Sequence, residues 1–485
     1  MSVSTYIRKL VSIAVIVVFA VLTPQSYAQF GGGGGQGGGG FGGGGGQGGG
    51  GQGGGGQGGG GGAGVVINPE GVLQIRRFDA RLTMQRIAAA KKNLNPDMAR
   101  PSELRCVSLT RLESEMQNRL AAGEPITDDM KFMAGLTEIQ YVFFYPESGD
   151  VVVAGPAEGY AVDPSGRPIG IVTGKAVMEL QDMIVAMRAF PPAGDQTQVI
   201  SVSIDPTKEG LNRMQQFLRR VYQTGLNPNQ TPQLVNGLQA SLGKQIVTIE
   251  GISAKTHFAQ VLVEADYRMK LIGIGLERPP VRIPSWASMA NPSAVSRNAL
   301  QRWYFTPNYQ AVRVSDDFNA MELVGAGVKL VGVDELVRAD GTRIASGKVD
   351  RASKTFTQTF TREYEELAKQ VPVYGQLRNL INMSIAAAYI QQQDFYGKAS
   401  WDMSTFASEK LLPCDTYLPP SKVDTAVNAI WKNNTLMTPI GGGVNIQPTQ
   451  ALLSSNILKD DDKSVEKTQG IAAPINLKDG QWWWD

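Results

Sequence analysis

The alternation of hydrophobic and polar positions is most informative between Ile246 and Glu277. A run of β-branched residues from Ile246 to Ile252, bounded by glycines, predicts a strand that is buried on at least one face. The residues that follow, 254–272, are apolar at two competing spacings. Both interpretations place the same charged residues next to a buried surface, so this stretch organises the rest of the prediction.

Residues 254–272 fit a strand or a helix. Apolar residues occupy the odd positions from Val261 to Met269, which indicates a strand, whereas a stripe from Phe258 to Ile272 recurs at helical spacing. We favour the helix because Leu262 breaks the alternation and because Ala, Glu, Met and Lys are good helix formers.

Between residues 65 and 195 the pattern predicts a small antiparallel sheet backed by helices. Ser108 precedes a helical stripe from Leu109 to Leu120, and a helix from Lys175 to Ala189 ends before two prolines. The predicted strands are Ile139–Tyr145, Asp150–Ala154, Tyr160–Val162 and Ile169–Thr173. This segment therefore predicts an α+β domain.

Residues 196–280 predict a βαβα unit. A strand from Val199 to Ile204 leads into a helix that ends near Tyr222, and a proline-broken loop leads to the Ile246 strand and its helix. Two such strand-then-helix units can lie parallel in one sheet if the crossover is right-handed.

Residues 281–412 predict a second α+β domain, and residues 413–485 an extended, partly disordered tail. Strand-like alternation resumes at Trp303 and continues to Val333, and the helix after Pro372 is apolar around most of its circumference, which indicates burial. The tail ends in three tryptophans, which either fold back on the domain or meet a partner. The predicted fold class is α+β, with mixed sheets and packed helices.

The first 64 residues predict export and a flexible arm. Residues 1–28 have the features of a signal peptide: Arg8 and Lys9, an apolar run and small residues up to Ala28. Residues 29–64 are a glycine-rich linker that buries almost no apolar surface, so we expect disorder. The linker suits a spacer, a neutral repeat expansion or an adhesive tract. We expect a secreted protein, periplasmic or extracellular, with no membrane span after the signal is removed.

Charge and cysteine content narrow the range of ligands. The formal net charge of +2 becomes zero without the signal peptide, so nucleic acid is not an expected partner. Cys106 and Cys414 either form a disulfide or remain as two free thiols. The chain contains a single histidine and no CxxC pair, so we expect no metal site, and no complete nucleotide-binding or nucleophile motif indicates a cofactor or a catalytic residue.

Seven residues are candidates for a binding site. Glu158 lies in a tight turn after a strand of valines, and Arg302 and Trp303 begin an aromatic run that suits either a binding platform or core packing. The other four candidates lie in the predicted helix: His257, Glu264, Asp266 and Arg268. In a helix, Glu264 pairs with Arg268, and Asp266 pairs with Lys270, as i,i+4 ion pairs.

Three stretches carry a family resemblance: residues 253–277, Gly149–Tyr160 (GDVVVAGPAEGY) and Arg302–Gln310 (RWYFTPNYQ). Together they resemble an uncharacterised family of secreted proteins from planctomycete-type bacteria, over roughly residues 100 to 400. The resemblance implies a shared fold and export. It implies no activity, cofactor or site residue.

These observations favour a secreted, non-enzymatic binding or assembly protein of the periplasm or cell envelope. Its expected partner is an envelope or extracellular protein or a polysaccharide. The alternative is a secreted hydrolase, directed at glycosides or peptides, that uses paired carboxylates from among Glu158, Glu264 and Asp266. Carboxylates facing each other across an open cleft favour the hydrolase, whereas carboxylates neutralised by neighbouring cations favour the binding protein.

Overall fold

A computed structural model describes residues 65–75, 80–224, 228–291, 299–337, 343–345, 350–414, 416–428, 430–432, 435–437 and 443–485. The predicted signal peptide and glycine-rich linker lie outside these ranges. Within them the predicted α+β class is confirmed, because a large mixed sheet is packed against helices.

The described strands form one large sheet and two small ones. Their bounds are β1 Val65–Ile67, β2 Val72–Ile75, β3 Ser102–Ser108, β4 Tyr141–Tyr145, β5 Asp150–Ala157, β6 Tyr160–Val162, β7 Pro168–Gly170, β8 Ile200–Asp205, β9 Gln245–Glu250, β10 Ala299–Val314, β11 Ala320–Val337, β12 Arg343–Ala345, β13 Lys422–Val423, β14 Ile430–Lys432, β15 Thr435–Met437, β16 Gly443–Ile446, β17 Ile457–Lys459 and β18 Trp483–Trp484. The large sheet has the order β1-β2-β13-β9-β8-β16-β10-β11-β4-β5-β3-β18, with β12 on β11 and β17 on β10. Strand pairs β6/β7 and β14/β15 stand apart.

The described α-helices flank this sheet. Their bounds are α1 Ala80–Asn93, α2 Pro96–Ala99, α3 Leu109–Ala121, α4 Asp128–Lys131, α5 Leu180–Ala189, α6 Lys208–Thr224, α7 Thr231–Leu242, α8 His257–Gly273, α9 Trp286–Met289, α10 Arg351–Arg362, α11 Tyr364–Gln370, α12 Pro372–Gln392, α13 Phe395–Lys398, α14 Pro448–Ala451 and α15 Ser464–Ile471. None of the helices in the described ranges is both long and apolar enough to cross a membrane.

The sheet takes strands from all four predicted segments, and the described residues of these segments belong to one compact unit. The long hairpin of β10 and β11 lies in the middle of the strand order. Residues 65–195 supply β3, β4 and β5 on one side of the hairpin and β1 and β2 at the opposite edge, and residues 196–280 supply β8 and β9 between that edge and the hairpin. The four segments therefore share one sheet.

Strands β8 and β9 are antiparallel, and the parallel arrangement that the sequence pattern allowed is not formed. The connection contains two helices, α6 and α7, and the second replaces the predicted proline-broken loop. One crossover helix brings the chain back to the end of the sheet at which the first strand began, so the next strand runs parallel to it. A pair of antiparallel helices leaves the chain at the other end, so the next strand runs in the opposite direction. Pro232 lies in the first turn of α7, where a proline is tolerated.

Helices α5, α8 and α12 form the layer that positions the candidate site. Residues 257–273 are helical, as favoured from the sequence, and Thr256 caps the helix by accepting a hydrogen bond from the Ala259 amide at 3.2 Å. Helix α12 packs against both α5 and α8, and its residues Val373–Ile390 are all buried, as its apolar circumference predicted.

The segment after residue 442 is folded onto the body of the protein. Its strands β16, β17 and β18 extend the large sheet, so the segment is not an extended tail where it is described. Trp482 and Trp484 are buried, and β18 pairs with β3. The tryptophans therefore fold back on the domain, one of the two alternatives left open by the sequence.

Candidate functional site

His257 lies at the start of helix α8, enclosed between two carboxylates of another helix. Glu179 is the N-cap residue of α5, and Asp182 lies in the first turn of that helix. The Nδ1 atom of His257 is 2.8 Å from Asp182 Oδ2, and its Nε2 atom is 3.4 Å from Glu179 Oε1. All three residues are buried. We call them the histidine cluster.

The two contacts of the imidazole differ in kind. The Nδ1 contact has hydrogen-bonding geometry, whereas neither Nε2 nor Glu179 Oε1 has a hydrogen-bond partner among the described residues. Asp182 Oδ1 is likewise buried and without a hydrogen-bond partner there. Since buried polar atoms are nearly always hydrogen-bonded, three such atoms in one cluster distinguish it from ordinary core packing.

The surroundings favour a positive charge inside this cluster. Burial raises the pKa of Glu179 because it disfavours the carboxylate, and the negative charge of Asp182 adds to the increase. Burial alone would lower the pKa of His257, but the charges of Asp182 and Glu179 outweigh it and raise this pKa above its ordinary value. The cluster therefore retains protons that these groups would lose in water.

Glu264 is neutralised by two arginines. It is buried on α8, where it accepts a hydrogen bond from Arg167 and lies 3.4 Å from Arg268 Nη1. Arg268 also donates to Glu277, with Nη2 at 2.7 Å from Oε1. The predicted pair of Glu264 with Arg268 is thus part of a larger ion-pair network, and Glu264 does not face an open cleft.

Asp266 forms the second predicted pair of the helix. Its Oδ2 atom is 2.9 Å from Lys270 Nζ, and Lys270 also donates to the Ile204 carbonyl at 3.3 Å, which ties α8 to β8. Burial raises the pKa of Asp266 to about 6 although the Lys270 charge opposes the shift. Asp266 is therefore engaged in contacts within the fold.

Glu158 is buried and holds a neighbouring turn. Its carboxylate accepts hydrogen bonds from the amides of Val172 and Thr173, at 2.6 and 3.1 Å to Oε2, and from the Thr173 hydroxyl. These contacts fix the turn after β7. The candidate is therefore engaged inside the fold and not displayed on the loop surface.

Arg302 and Trp303 lie in β10 and are buried. The indole Nε1 of Trp303 donates to Ser353 Oγ at 2.7 Å, and its ring packs against Phe356 with centroids 4.7 Å apart. Trp303 is therefore packed in the core, which is the second of the two interpretations of this aromatic run.

The two cysteines are free, which is the second of the two alternatives left open by the sequence. Cys106 is buried in β3 beside Trp484, and burial raises the pKa of its thiol to about 12. Cys414 is half-buried and accepts a hydrogen bond from Arg188 Nη1 at 3.5 Å. The two thiols have separate surroundings.

A pocket of about 310 Å³ lies against the histidine cluster. Glu179 and Tyr417 line it, and the Tyr417 ring centroid is 6.2 Å from that of His257. The rest of the lining is mainly apolar, formed by Met116, Ile126, Phe132, Leu180, Ile184, Leu412 and Pro413, together with Lys131, Gly166, Gln181 and Cys414. Glu179 thus connects the pocket to an imidazole that has no accessible surface of its own.

The sequence identified one member of this cluster and missed the other two. Asp182 and His257 are 75 residues apart, and no local pattern links them. A signal was nevertheless present, because Glu179 and Asp182 are acidic residues three positions apart at the start of an otherwise apolar helix. The structure brings neither Glu158 nor Trp303 into this cluster.

Residues 202–286 match a protein family described as a protein of unknown function (DUF1598). The matched region runs from β8 to the start of α9 and includes His257, but it does not include Glu179 or Asp182. Comparisons with curated proteins and with solved structures gave no match.

Proposed function

We propose that this protein is exported and works, without catalysis, as a binding protein for a small molecule that occupies the pocket beside Glu179. The ligand class is a molecule with an apolar body and one polar group. The pocket volume of about 310 Å³ lies at the lower end of the range of about 300 to 1,000 Å³ that is typical of small-molecule sites.

One observation carries the proposal: a mainly apolar pocket is lined by Glu179, a buried carboxylate whose Oε1 has no hydrogen-bond partner among the described residues. An apolar lining supplies affinity, and a few polar groups supply orientation. A ligand that donates a hydrogen bond to this carboxylate lowers the cost of leaving it incompletely paired.

Binding is favoured over hydrolysis by the positions of the nominated carboxylates. Glu264 is shared between two arginines, Asp266 is paired with Lys270, and Glu158 accepts amide hydrogen bonds. A glycoside hydrolase requires two carboxyl groups on either side of an accessible bond. His257 is enclosed, and Glu179 stands between it and the pocket.

The test is saturation-transfer NMR with benzyl alcohol and toluene as probes, using the wild-type protein and two variants. Ile126→Trp fills the pocket from its half-buried wall, and Leu120→Trp is the matched control on the exposed end of α3, outside the pocket lining. We expect binding of both probes, with benzyl alcohol the tighter, and loss of binding in Ile126→Trp alone.

No saturation transfer in the wild type, or equal transfer in the Ile126→Trp protein, would contradict the proposal. Toluene binding as tightly as benzyl alcohol would show that Glu179 does not act as the polar contact. Circular dichroism of both variants verifies that the fold is retained.

A further inference from the structure

We infer that the histidine cluster is a binding site for a divalent transition-metal ion of the zinc type, with His257 Nε2 and Glu179 Oε1 as ligands and Asp182 as the residue that orients the imidazole. This inference rests on the proposed pocket, because it assigns the chemistry at the base of that pocket. It goes further by naming an ion that the sequence did not predict.

The separation of the two ligand atoms suits such an ion. Zinc lies about 2.0 to 2.1 Å from a histidine nitrogen and about 2.0 to 2.2 Å from a carboxylate oxygen. A separation of 3.4 Å between Nε2 and Oε1 then corresponds to an angle of about 110° at the metal, close to the tetrahedral value. The separation of the two atoms is therefore compatible with a shared ion.

Asp182 completes an arrangement that is general among metal-binding histidines. The carboxylate accepts a hydrogen bond from Nδ1–H at 2.8 Å, which fixes the tautomer with its lone pair on Nε2 and makes that nitrogen a better electron-pair donor to a metal. One oxygen or nitrogen from each of the three residues lies within 4.8 Å of the others.

A divalent ion suits the charges of the cluster. When Nδ1–H donates to Asp182, the Nε2 lone pair and the Glu179 oxygen are two acceptors that face each other, and only a proton or a cation can stand between them. The nearby Arg167 donates to Glu264 and pairs with it. A divalent ion can replace the proton that the metal-free cluster retains, and it compensates the buried charge of Glu179 and Asp182.

The ligand atoms and their surroundings indicate the class of ion and how many of its coordination positions the protein fills. An imidazole nitrogen with carboxylate oxygens suits zinc and its neighbours, whereas calcium and magnesium prefer oxygen ligands alone. The cluster provides two protein ligands, fewer than the four of a closed structural site. Since Glu179 also lines the pocket, we expect the polar group of a pocket ligand to reach an ion that this carboxylate holds.

The experiment is a titration of Zn²⁺ and Co²⁺ into protein dialysed against EDTA, followed by calorimetry and by the visible absorption of Co²⁺. We expect one ion per chain and the absorption of tetrahedral Co²⁺. Glu179→Gln and His257→Gln are expected to weaken binding by more than about 100-fold, and Asp182→Asn by about 10- to 100-fold.

The matched control is Glu277→Gln, which removes a carboxylate of the neighbouring ion-pair network without touching a ligand. Its zinc affinity is expected to equal that of the wild type. Glu179 lines the pocket, so we expect the fold to tolerate Glu179→Gln. This variant therefore tests the site even if His257→Gln does not fold. No bound ion in the wild type, or equal affinity in Glu179→Gln, would overturn the inference.

Two further measurements separate this inference from the proposed function. Zn²⁺ binding to Ile126→Trp tests the metal site with the pocket filled, and toluene binding to the metal-free wild type tests the pocket without the ion. Benzohydroxamate, a chelating probe, is expected to bind the zinc-loaded protein at least about 10-fold more tightly than the metal-free protein. Equal affinity would show that the ion does not face the pocket.

Discussion

Asp150 is a buried carboxylate that anchors the start of helix α3. It accepts two hydrogen bonds from Arg111, at 2.7 and 2.9 Å, and one from the Ser108 hydroxyl at 2.6 Å. We expect Asp150→Asn to lower the free energy of unfolding at neutral pH by about 2 to 3 kcal/mol, because these are hydrogen bonds to a charged acceptor. Urea unfolding measures the change. Asp128→Asn, in an exposed pair with Lys131, serves as a control with an expected loss below about 1 kcal/mol.

The same residue predicts a pH dependence. Burial alone would raise the pKa of Asp150, but the hydrogen bonds from Arg111 and Ser108 outweigh it and hold this pKa below the ordinary value of 3.8. The contribution of Asp150 to the free energy of unfolding is therefore present above about pH 4 and is lost as the pH falls through the lowered pKa. We expect the stability difference between wild type and Asp150→Asn to shrink between pH 5 and about pH 2. A difference that stays constant over this range would contradict the assignment.

Gly170 is needed because Glu158 occupies the space where a side chain would lie. A Cβ atom at this position would be 2.2 Å from Glu158 Oε1, and that carboxylate is held by Val172 and Thr173, so it has no freedom to retreat. We expect Gly170→Ala to destabilise the protein by about 1 to 3 kcal/mol. Gly470→Ala in α15 is the matched substitution, with nothing within 4 Å, and is expected to stabilise by up to about 1 kcal/mol. Urea unfolding of the two variants gives the comparison, and a loss of stability in both would show that the effect is not specific to Glu158.

At the scale of elements, one carboxylate joins two helices. Asp350 Oδ1 accepts hydrogen bonds from the amides of Ala352 and Ser353 at the start of α10. Its Oδ2 accepts a hydrogen bond from the indole Nε1 of the buried Trp286 in α9, at 3.0 Å. Asp350→Ala removes the cap and leaves a buried indole donor unpaired. We expect a loss of about 2 to 4 kcal/mol in the free energy of unfolding.

A double-mutant cycle with Trp286→Phe separates the two contributions of Asp350. In the Trp286→Phe background, Asp350→Ala is expected to cost only the cap, about 1 kcal/mol. Chemical denaturation of the four proteins measures the coupling. Equal costs in both backgrounds would show that the indole contact contributes nothing to stability.

The elements that could be predicted are those with a complete local signal. Helix α3 has a serine cap and an amphipathic stripe, and α12 is apolar enough to indicate burial. Helix α7 was missed because the prolines of this stretch, Pro232 among them, suggest a loop, although a proline in the first turn is compatible with a helix. That omission left a parallel arrangement of β8 and β9 open, since strand direction depends on the number of helices in the connection.

At the scale of the whole molecule, the strand order and the histidine cluster depend on contacts that the sequence does not encode locally. Strand β16 lies between β8 and β10, and β13 lies between β2 and β9, so strands that are distant along the chain complete the middle of the sheet. The cluster is formed in the same way, because α5 and α8 come together around α12. His257 could be nominated from its rarity, but its partners could not, because Glu179 and Asp182 become neighbours only through this packing.

A long-range ion pair joins Arg105 in β3 to Asp485, 380 positions later. Arg105 has no accessible side-chain surface and donates to both carboxylate oxygens of Asp485, at 2.7 and 3.1 Å, with the Trp483 ring 4.7 Å from its guanidinium. Removing one partner of a buried pair leaves the other charge uncompensated, at a cost of about 3 to 5 kcal/mol. Since Asp485 is partly exposed, we expect Asp485→Asn to lower the free energy of unfolding by about 2 to 3 kcal/mol.

Glu466→Gln supplies the control, because Glu466 forms an exposed pair with Lys463 in the same part of the chain and is expected to contribute less than about 1 kcal/mol. Urea unfolding followed by tryptophan fluorescence reports both the stability and the environment of β18. If the pair holds β18 against β3, Asp485→Asn exposes Trp484 to solvent and shifts its emission to the red before the main transition. A single transition with unchanged stability would mean that β18 is held by its backbone pairing and the burial of Trp482 and Trp484 alone.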